Sequence, residues 1–302
     1  MLEGPLAKPG VEPPVGSLLM ASPVEDLVDL LDLETIEVNI FRGAQPREEN
    51  PVLQRVFGGQ VAGQALVAAA RTVEPERAVH SLHAYFLRPG DMTIPIVYDV
   101  DRIRDGKSFT TRRVVAIQHG RAIFNLAASF QVPEDGYDHQ ATMPDVPPPD
   151  DVPTMAERLE AHGLDWAAHP RPIDVRHVEE PVWLNHDSGR TTQHVWFRAA
   201  GRLPDDPILH TCVVTYASDM TLLDTALLPH GKTFGDRGLQ MASLDHAMWF
   251  HRPFRADEWL LYAQETPSAS SARGLAQGSI FTHDGRLAVS VVQEGLIRKH
   301  DQ

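Results

Sequence analysis

The amide of Gln293 is the side chain whose placement in this sequence most needs a chemical explanation. It lies in VSVVQEGLIR, residues 289–298, a run that is otherwise typical of a buried β-strand. Because successive side chains of a strand point to opposite faces, either Gln293 or Glu294 must face the side that receives the neighbouring apolar residues. A buried amide needs hydrogen-bond partners. The sequence therefore predicts that other polar residues converge on this strand.

Thiol and metal chemistry have little support. The single cysteine, Cys212, excludes a disulfide framework and lies in the apolar run TCVVTYA, where a buried strand residue is expected. Among the 15 histidines, the pairs His80/His83 and His246/His251 do not have the spacing of a known ligand motif, and no H-E-x-x-H pattern occurs. We therefore expect neither a metal site nor a cofactor.

The charge balance limits the classes of partner. With 27 Lys and Arg against 41 Asp and Glu, the formal net charge is −14, which argues against nucleic acid or an anionic membrane as the main partner. No run approaches the length of an apolar membrane span, and the Pro- and Gly-rich start lacks a signal core. The final residues, RKHDQ, are not a peroxisomal SKL-type address. We expect a cytoplasmic protein with a flexible tail over residues 1–21.

The elements that must position Gln293 follow a helix-then-strands order. Ser22 and Pro23 predict the capped start of a short helix. Residues 57–73, FGGQVAGQALVAAARTV, have helical spacing and few charges, which favours a helix buried on most sides. Residues 80–132 contain four β-type runs separated by the turn signals RPGD, RDGK and QHGR. An α+β unit is predicted, with an antiparallel meander that wraps the helix.

The same order returns after a break. Residues 133–181 are rich in Pro and Asp and indicate a linker with a short helix near 154–162. Beyond them, TCVVTYASDMTLLDTALLPHG is interpreted as a strand followed by a helix, and several strand-like runs come next. We predict an N-terminal unit over 22–132 and a C-terminal unit over 182–302.

Particular segments of the two units correspond. FLRP at 86–89 matches FHRP at 250–253, the hairpin QHGRAIF matches THDGRLAV, and FGGQ at 57–60 is paired with YASD at 216–219. Two copies at such spacing indicate a duplicated unit of about 120 residues rather than a solenoid.

These segments also carry a family resemblance. FGGQVAGQAL, HSLHAYFLRPGD, RDGKSFTTRRV, YASDMTLL, LDHAMWFHRPF, ASSARG and VQEGLIR resemble, in this order, segments of the acyl-CoA thioesterase II family over residues 22–300. The resemblance implies a double hotdog fold, in which each of two units wraps a sheet around a long helix. It also implies hydrolysis of acyl-CoA to fatty acid and CoA, and assembly as a homo-oligomer, a dimer or tetramer.

The resemblance also implies the site residues. By motif, a catalytic Asp falls on Asp219 of YASDM, a hydroxyl on Ser243 of ASLDHAMWFH and an amide on Gln293 of VVQEG, and together they would position the hydrolytic water. Because a strand is expected before Asp219 and a helix after it, we place its carboxylate at a helix N-terminus, where free N–H groups favour the ionised form. An ordinary N-cap beside Ser218 has the same appearance.

Two further sets of residues are expected around the substrate. Gly58 and Gly59 open the first helix and would allow an oxyanion to approach backbone N–H groups, although close helix packing explains them equally well. In that unit Gln60 is matched to Asp219 and cannot serve as a base, so one competent site per chain is predicted. A basic rim for the CoA phosphates would draw on Lys107, Arg112, Arg113 and Arg273. Adjacent Arg112 and Arg113 must face opposite sides of a strand.

Three alternatives stay open. A covalent acyl-enzyme on Ser243 is disfavoured because no histidine is assigned to it, although His246 is near in sequence, and no G-x-S-x-G elbow occurs. Double-hotdog enoyl-CoA hydratases resemble one another in placing a His five residues after a catalytic Asp, where this chain has Asp224. A non-catalytic acyl-CoA-binding protein would keep the fold without the acid.

Overall fold

The computed structural model describes residues 22–46, 55–164, 171–185 and 189–300, so the predicted tail over 1–21 lies outside the described residues. The helices are α1 (Pro23–Leu31), α2 (Gly58–Ala70), α3 (Met155–Ala161), α4 (Val182–Asn185) and α5 (Pro207–Ser218), with 3-10 helices at Pro149–Asp151 and Leu223–His230. The first six strands are β1 (Glu34–Glu37), β2 (Ile40–Gly43), β3 (Ala78–Phe86), β4 (Ile96–Asp105), β5 (Phe109–Gln118) and β6 (Arg121–Gln131). The others are β7 (Ile173–His177), β8 (Thr192–Ala199), β9 (Leu239–Ser243), β10 (Asp245–Phe250), β11 (Leu260–Ser270), β12 (Arg273–Thr282) and β13 (Leu287–Lys299).

Both halves of the sheet have one strand order. The N-terminal half runs β2-β4-β5-β6-β3 and the C-terminal half runs β8-β11-β12-β13-β10. Antiparallel pairing of β3 with β10 joins them into one continuous sheet. The expected meander is correct for β4-β5-β6, but β3 lies beside β6, which leaves its other edge free to pair with β10. This is the predicted α+β double hotdog.

Hydrogen bonds confirm two of the predicted correspondences between the halves. Arg88 Nη1 donates to the carbonyl of Ala122 at 2.6 Å, and Arg252 Nη1 donates to the carbonyl of Leu287 at 2.9 Å. The FLRP and FHRP segments therefore close matching hairpins in the same way.

The third correspondence, between FGGQ and YASD, is wrong. Residues 57–60 begin α2, whereas residues 216–219 end α5, so the two segments occupy opposite ends of their helices. The expected strand over TCVVTYA is also wrong, because those residues belong to α5. An apolar run that is buried on nearly all sides shows no periodicity that distinguishes helix from strand.

The two main helices pack against each other in antiparallel fashion. A Cβ atom added at Gly59 would lie 2.2 Å from the Tyr216 carbonyl oxygen, and one at Gly63 would lie 3.3 Å from the Cys212 carbonyl oxygen. Glycine at both positions allows the backbones to approach this closely. Cys212 is buried in this interface, as predicted, and burial raises the pKa of its thiol. The start of α2 is thereby fixed beside the end of α5.

Much of the region predicted as a linker covers the outer face of the C-terminal sheet. On β8, Val195 and Phe197 point into the main core, whereas Trp196 points outward and packs with Val152 in a separate small core. The indole of Trp196 donates to the carbonyl of Pro147 at 2.9 Å. The structure also has the short helix expected near 154–162, and β7, a strand within the predicted linker, pairs with β8.

α1 has the predicted cap. Ser22 accepts from the Glu25 backbone N–H, the Glu25 side chain accepts in return from the Ser22 backbone, and Pro23 occupies the first helical position. None of the helices in the described ranges is long and apolar enough to cross a membrane.

Candidate active site

Asp219 lies where the two halves meet. It caps the C-terminal end of α5, so the prediction that it sits at the N-terminus of its own following helix is wrong. The N-terminal N–H group that it contacts comes instead from α2, because the backbone N–H of Gly59 donates to the Asp219 carboxylate. The electrostatic argument for that carboxylate therefore applies to a different helix, contributed by the other half of the chain.

The three side chains that the motifs predicted come together on one carboxylate oxygen. Gln293 Nε2 donates to Asp219 Oδ1 at 2.6 Å, and Ser243 Oγ donates to the same oxygen at 3.3 Å. β13 supplies Gln293 and β9 supplies Ser243, and the two strands pair with Ser243 opposite Gly295. The amide at 293 is the residue that faces inward, fully buried, while Glu294 faces outward toward Arg273.

One atom of this amide has no partner. Since the carboxylate can only accept, Nε2 of Gln293 must point at Asp219 and Oε1 must point away from it. Oε1 is buried and has no hydrogen-bond partner among the residues that the structure describes. It is therefore a free acceptor that is fixed in position next to the carboxylate.

The environment adjusts the acidity of Asp219 toward neutral pH. Burial raises the pKa of Asp219 to about 6, against the lowering effect of the hydrogen bonds from Gln293, Ser243 and Gly59 and of the charge of Arg55. A carboxylate with this pKa is ionised at neutral pH and is a stronger base than an exposed aspartate.

Sequence reasoning did not identify Arg55. Its Nη2 donates to the carbonyl of Met241 on β9 at 2.9 Å, two residues before Ser243, and its charge lowers the pKa of Asp219. A single arginine before a glycine pair has no motif of its own, so no sequence signal distinguishes it from a solvated surface residue.

The two glycines at the start of α2 fit tightly around the site. A Cβ atom at Gly58 would lie 2.6 Å from Asp219 Oδ2 and 2.9 Å from Cε1 of Phe86. α2 begins at Gly58, as expected from sequence. Because the N–H of Gly59 already donates to Asp219, its first task is to hold this carboxylate.

The predicted basic rim does not form one cluster. Arg112 is only 2% exposed and donates to Thr72 and Asp105 inside the N-terminal half, so it does not face solvent and we drop it as a ligand for phosphate. Arg113 faces the other side of β5, as expected, and pairs with Asp101.

The other two basic residues are exposed. Lys107 lies in the β4–β5 turn, and Arg273 pairs with Glu294 at 2.9 Å. Of the four residues, Arg273 alone lies on β12, the strand beside β13 and Gln293.

His246 is not placed to activate Ser243. Its Nε2 lies 2.9 Å from Ser218 Oγ, and burial lowers the pKa of His246 to about 4, which keeps the ring neutral. The hydroxyl of Ser243 donates to Asp219 instead. Within the described ranges no group of three or more His, Cys, Asp or Glu side chains is placed to hold a metal ion.

Two cavities border the C-terminal half. A groove of about 330 Å³ lies against residues 141–144 and the sheet, and none of the predicted site residues lines it. A second cavity of about 240 Å³, here named the Asp224 pocket, is lined by Asp224 and by residues of β7, β8 and the segment after α5.

Comparison with known proteins identifies the family. Residues 167–296 match the family described as acyl-CoA thioesterase, and residues 46–131 match the acyl-CoA thioesterase N-terminal domain. The chain is 43% identical to acyl-coenzyme A thioesterase 8 of Mus musculus (91% of this chain and 90% of the relative) and 42% identical to acyl-CoA thioesterase 2 of Haemophilus influenzae (92% and 99%). It is 50% identical to the crystal structure of acyl-CoA thioesterase II TesB2 from Mycobacterium marinum, with a TM-score of 0.76 over 91% of this chain and 99% of that one. The chain therefore belongs to the acyl-CoA thioesterase II family.

Proposed function

We propose that this thioesterase hydrolyses fatty acyl-CoA by direct attack of a water molecule on the thioester carbonyl, with Asp219 as general base. The observation that carries the proposal is the convergence of Gln293 and Ser243 on one oxygen of a carboxylate whose pKa burial raises to about 6. That arrangement fixes the base in one orientation and keeps it ionised at neutral pH.

The chemical steps follow from these groups. The water donates one hydrogen to Asp219 and the other to Oε1 of Gln293, which leaves a lone pair directed at the carbonyl carbon. As the new C–O bond forms, the water proton moves to Asp219 and negative charge develops on the carbonyl oxygen. Collapse of this tetrahedral intermediate breaks the C–S bond, and Asp219 returns the proton to the departing CoA thiolate. The products are the fatty acid and CoA.

The other predicted residues have supporting tasks. Ser243 donates to Asp219 and so helps to position the water through that carboxylate. The N–H of Gly58 and the positive end of α2 favour the developing oxyanion, while the N–H of Gly59 stays on Asp219. Lys107, Arg113 and Arg273 are the exposed cations proposed for the CoA phosphates. Assembly into a homo-oligomer and a cytoplasmic location stay predictions from the sequence.

The test is release of free thiol from a panel of saturated acyl-CoAs, short to long, by the wild type and by Asp219→Asn. We expect turnover by the wild type and a loss of about 10²–10⁴-fold in the variant, the range for removal of a general base, with an unchanged circular dichroism spectrum. No thiol release by the wild type at any chain length would overturn the proposal. Assays for enoyl-CoA hydration and for acyl-CoA binding would then distinguish the two alternatives.

A further inference from the structure

His246 on β10 is a buried polar side chain whose counterpart in the other half is a leucine. Where β3 pairs with β10, His246 lies opposite Ala84 and Met248 lies opposite Leu82, so exchanging the two halves brings His246 onto Leu82. The matched FHRP and FLRP segments give the same correspondence. Both side chains are buried. One place in the fold is therefore filled by leucine in the N-terminal half and by histidine in the half that carries Asp219.

Histidine is the less stable choice for this place. Nε2 of His246 lies 2.9 Å from Ser218 Oγ, but Nδ1 is buried and has no hydrogen-bond partner among the described residues. A buried polar atom without a partner destabilises the folded state, and leucine has no such atom. The helix ends differ in the same way, because the last residue of α5 is Ser218 and the last residue of α2 is Ala70. Core packing therefore does not explain His246, and its bond to Ser218 is what distinguishes the two halves.

The direction of this hydrogen bond follows from the hydroxyl group of Ser218. The group has one hydrogen, and the carbonyl of Thr215 in the same helix accepts it at 2.9 Å. Ser218 Oγ therefore accepts from Nε2–H of His246. Burial lowers the pKa of His246 to about 4, so the ring is neutral at neutral pH and its one ring hydrogen is on Nε2.

A second strand holds the backbone of the same serine. The hydroxyl group of Tyr262 on β11 donates to the Ser218 carbonyl at 3.2 Å. The tyrosine ring is fixed against Gly278, where an added Cβ atom would lie 2.2 Å from Cε2 of the ring. Because the Ser218 carbonyl belongs to the peptide bond that leads into Asp219, both the side chain and the main chain just before the carboxylate are held by the sheet.

The segment from β9 to β10 contacts two successive residues at the end of α5. Ser243 donates to Asp219 at 3.3 Å, and three residues later His246 bonds to Ser218 at 2.9 Å. The second bond is the shorter one, and β10 is paired along both edges, with β3 and with β13. His246 therefore ties the last residue of α5 to a strand that is itself held on both sides.

Building on the proposed function, we propose that His246 is a positioning residue of the active site. Through Ser218 it holds the end of α5 in the place where Asp219 receives its side-chain hydrogen bonds. It acts on the carboxylate and not on the reacting atoms. When the bond is removed, α5 keeps its packing but its last turn can shift, and a displacement of about 1 Å in a catalytic group can cost about 10²-fold in rate.

The test begins with His246→Leu, because leucine fits the matching place in the other half. With the saturated acyl-CoA that the wild type hydrolyses fastest, we expect kcat to fall by about 10–100-fold and KM to stay within about twofold of the wild type. His246→Gln should recover part of kcat, since its amide can place an N–H near the position of Nε2. His246→Asn reaches only to the position of Nδ1 and should not recover it. Steady-state thiol release measures both constants.

A double-variant cycle distinguishes positioning from a general loss of structure. If His246 acts through Asp219, His246→Leu should have little further effect on kcat in a protein that already carries Asp219→Asn.

His210 provides the matched control at the other end of α5. It is also a buried histidine with one bonded nitrogen, Nδ1, which accepts from the Ala256 N–H at 3.0 Å, and its Nε2 has no partner among the described residues. His210→Leu leaves the Ala256 N–H without its acceptor and should lower the free energy of unfolding. Because the change is distant along the helix from Asp219, kcat should be unchanged at a temperature where the variant is folded.

The outcomes separate the two proposals. Near-normal kcat in His246→Leu, an equal loss in His210→Leu, or a full further loss on top of Asp219→Asn overturns the positioning role and leaves the thioesterase proposal standing. Absence of thiol release by the wild type overturns the thioesterase proposal, and normal turnover by Asp219→Asn overturns the assignment of the base; the positioning role falls with either. If His246→Leu fails to fold by circular dichroism, the Gln and Asn variants decide, and equal kcat values for these two overturn the role.

Discussion

The two halves of the sheet place one long polar side chain at the same depth but on opposite strands. The comparison uses the fifth residue pair beyond the irregularity in each hairpin. In the N-terminal half this pair is Arg112 on β5 with Ala128 on β6, and in the C-terminal half it is Ala276 on β12 with Gln293 on β13. All four residues are buried. Each half therefore has room for one long side chain, and the strand that carries it decides what that side chain reaches.

In the N-terminal half the long side chain closes the end of a helix. Arg112 Nε donates to Thr72 Oγ1 at 2.8 Å, its Nη2 donates to the Thr72 carbonyl at 2.9 Å, and a carboxylate oxygen of Asp105 lies at 2.5 Å. These contacts satisfy a carbonyl just beyond the end of α2. At the capping position where α5 has Asp219, α2 has Arg71, which pairs with Asp32.

In the C-terminal half one polar atom of the long side chain has no hydrogen-bond partner among the described residues. Gln293 uses its nitrogen on Asp219 and leaves Oε1 buried without a partner among the described residues. The comparison indicates that the long side chain stabilises the fold in the N-terminal copy and belongs to the candidate active site in the C-terminal copy.

Gln293→Ala is the substitution that should change the difference between the two halves most. Replacing the amide with the residue that the N-terminal half has at Ala128 removes the donor to Asp219 and the acceptor proposed for the water. We expect kcat to fall by about 10²–10³-fold, the loss typical of one preorganised hydrogen-bonding group, with little change in the urea midpoint. Steady-state thiol release and urea unfolding measure both quantities, and a variant with near-normal kcat would contradict the assignment.

The matched change in the other half is Arg112→Met. The methionine fills similar space but leaves the Thr72 carbonyl and the Asp105 carboxylate without their donor. We expect the free energy of unfolding to fall by about 3 kcal/mol, as for loss of one partner from a buried ionic network, with kcat and KM unchanged at a temperature where the variant is folded. A raised KM for acyl-CoA with unchanged stability would instead return Arg112 to the substrate-binding residues.

The difference between the halves also explains how far the sequence could predict the structure. The cap at Ser22 and the start of α2 at Gly58 depend on local rules, and both predictions were right. Strand alternation left open whether Gln293 or Glu294 faces inward, and the structure has Gln293 buried. The pairing of FGGQ with YASD failed because short segments of similar composition do not reveal which end of a helix they occupy. The contacts of Arg55 with Met241 and of Gly59 with Asp219 join distant segments, and no local pattern encodes them.

Two glycines on α2 distinguish the site from ordinary helix packing. Gly58→Ala places a Cβ atom 2.6 Å from Asp219 Oδ2. Gly63→Ala places one 3.2 Å from Leu31 Cδ2 and 3.3 Å from the Cys212 carbonyl oxygen, so its close contacts are with the helix packing and not with the carboxylate. We expect overpacking at Gly58 to displace the carboxylate and cost about 1–3 kcal/mol, or about 10–100-fold in kcat/KM. Gly63→Ala should leave kcat/KM nearly unchanged, so equal losses in both variants would mean that the effect comes from helix packing alone.

Ser243→Ala separates direct attack by water from a covalent acyl-enzyme. In the water mechanism the hydroxyl group makes one long hydrogen bond to Asp219, at 3.3 Å, so its loss should lower kcat by about tenfold. An acyl-enzyme mechanism would lose its nucleophile, and turnover would fall to the background rate. Mass spectrometry of the wild type during turnover provides the second readout, because an adduct on Ser243 would exclude direct attack.

The smallest expected effect is on the pH dependence of kcat/KM, and it comes from the charge of Arg55, which the N-terminal half contributes near Asp219. Since the pKa of Asp219 is raised to about 6, kcat/KM should increase with pH up to about 6 and level off above it, as the ionised base accumulates. Arg55 lowers this pKa, so Arg55→Leu should move the rising limb to higher pH while the plateau is retained. Arg102→Leu, which removes an exposed cation bonded to Asn39, provides the matched loss of charge and should leave the rising limb in place. A limb that is the same in all three proteins would show that Arg55 acts on β9 through its bond to Met241 and not on the base through its charge.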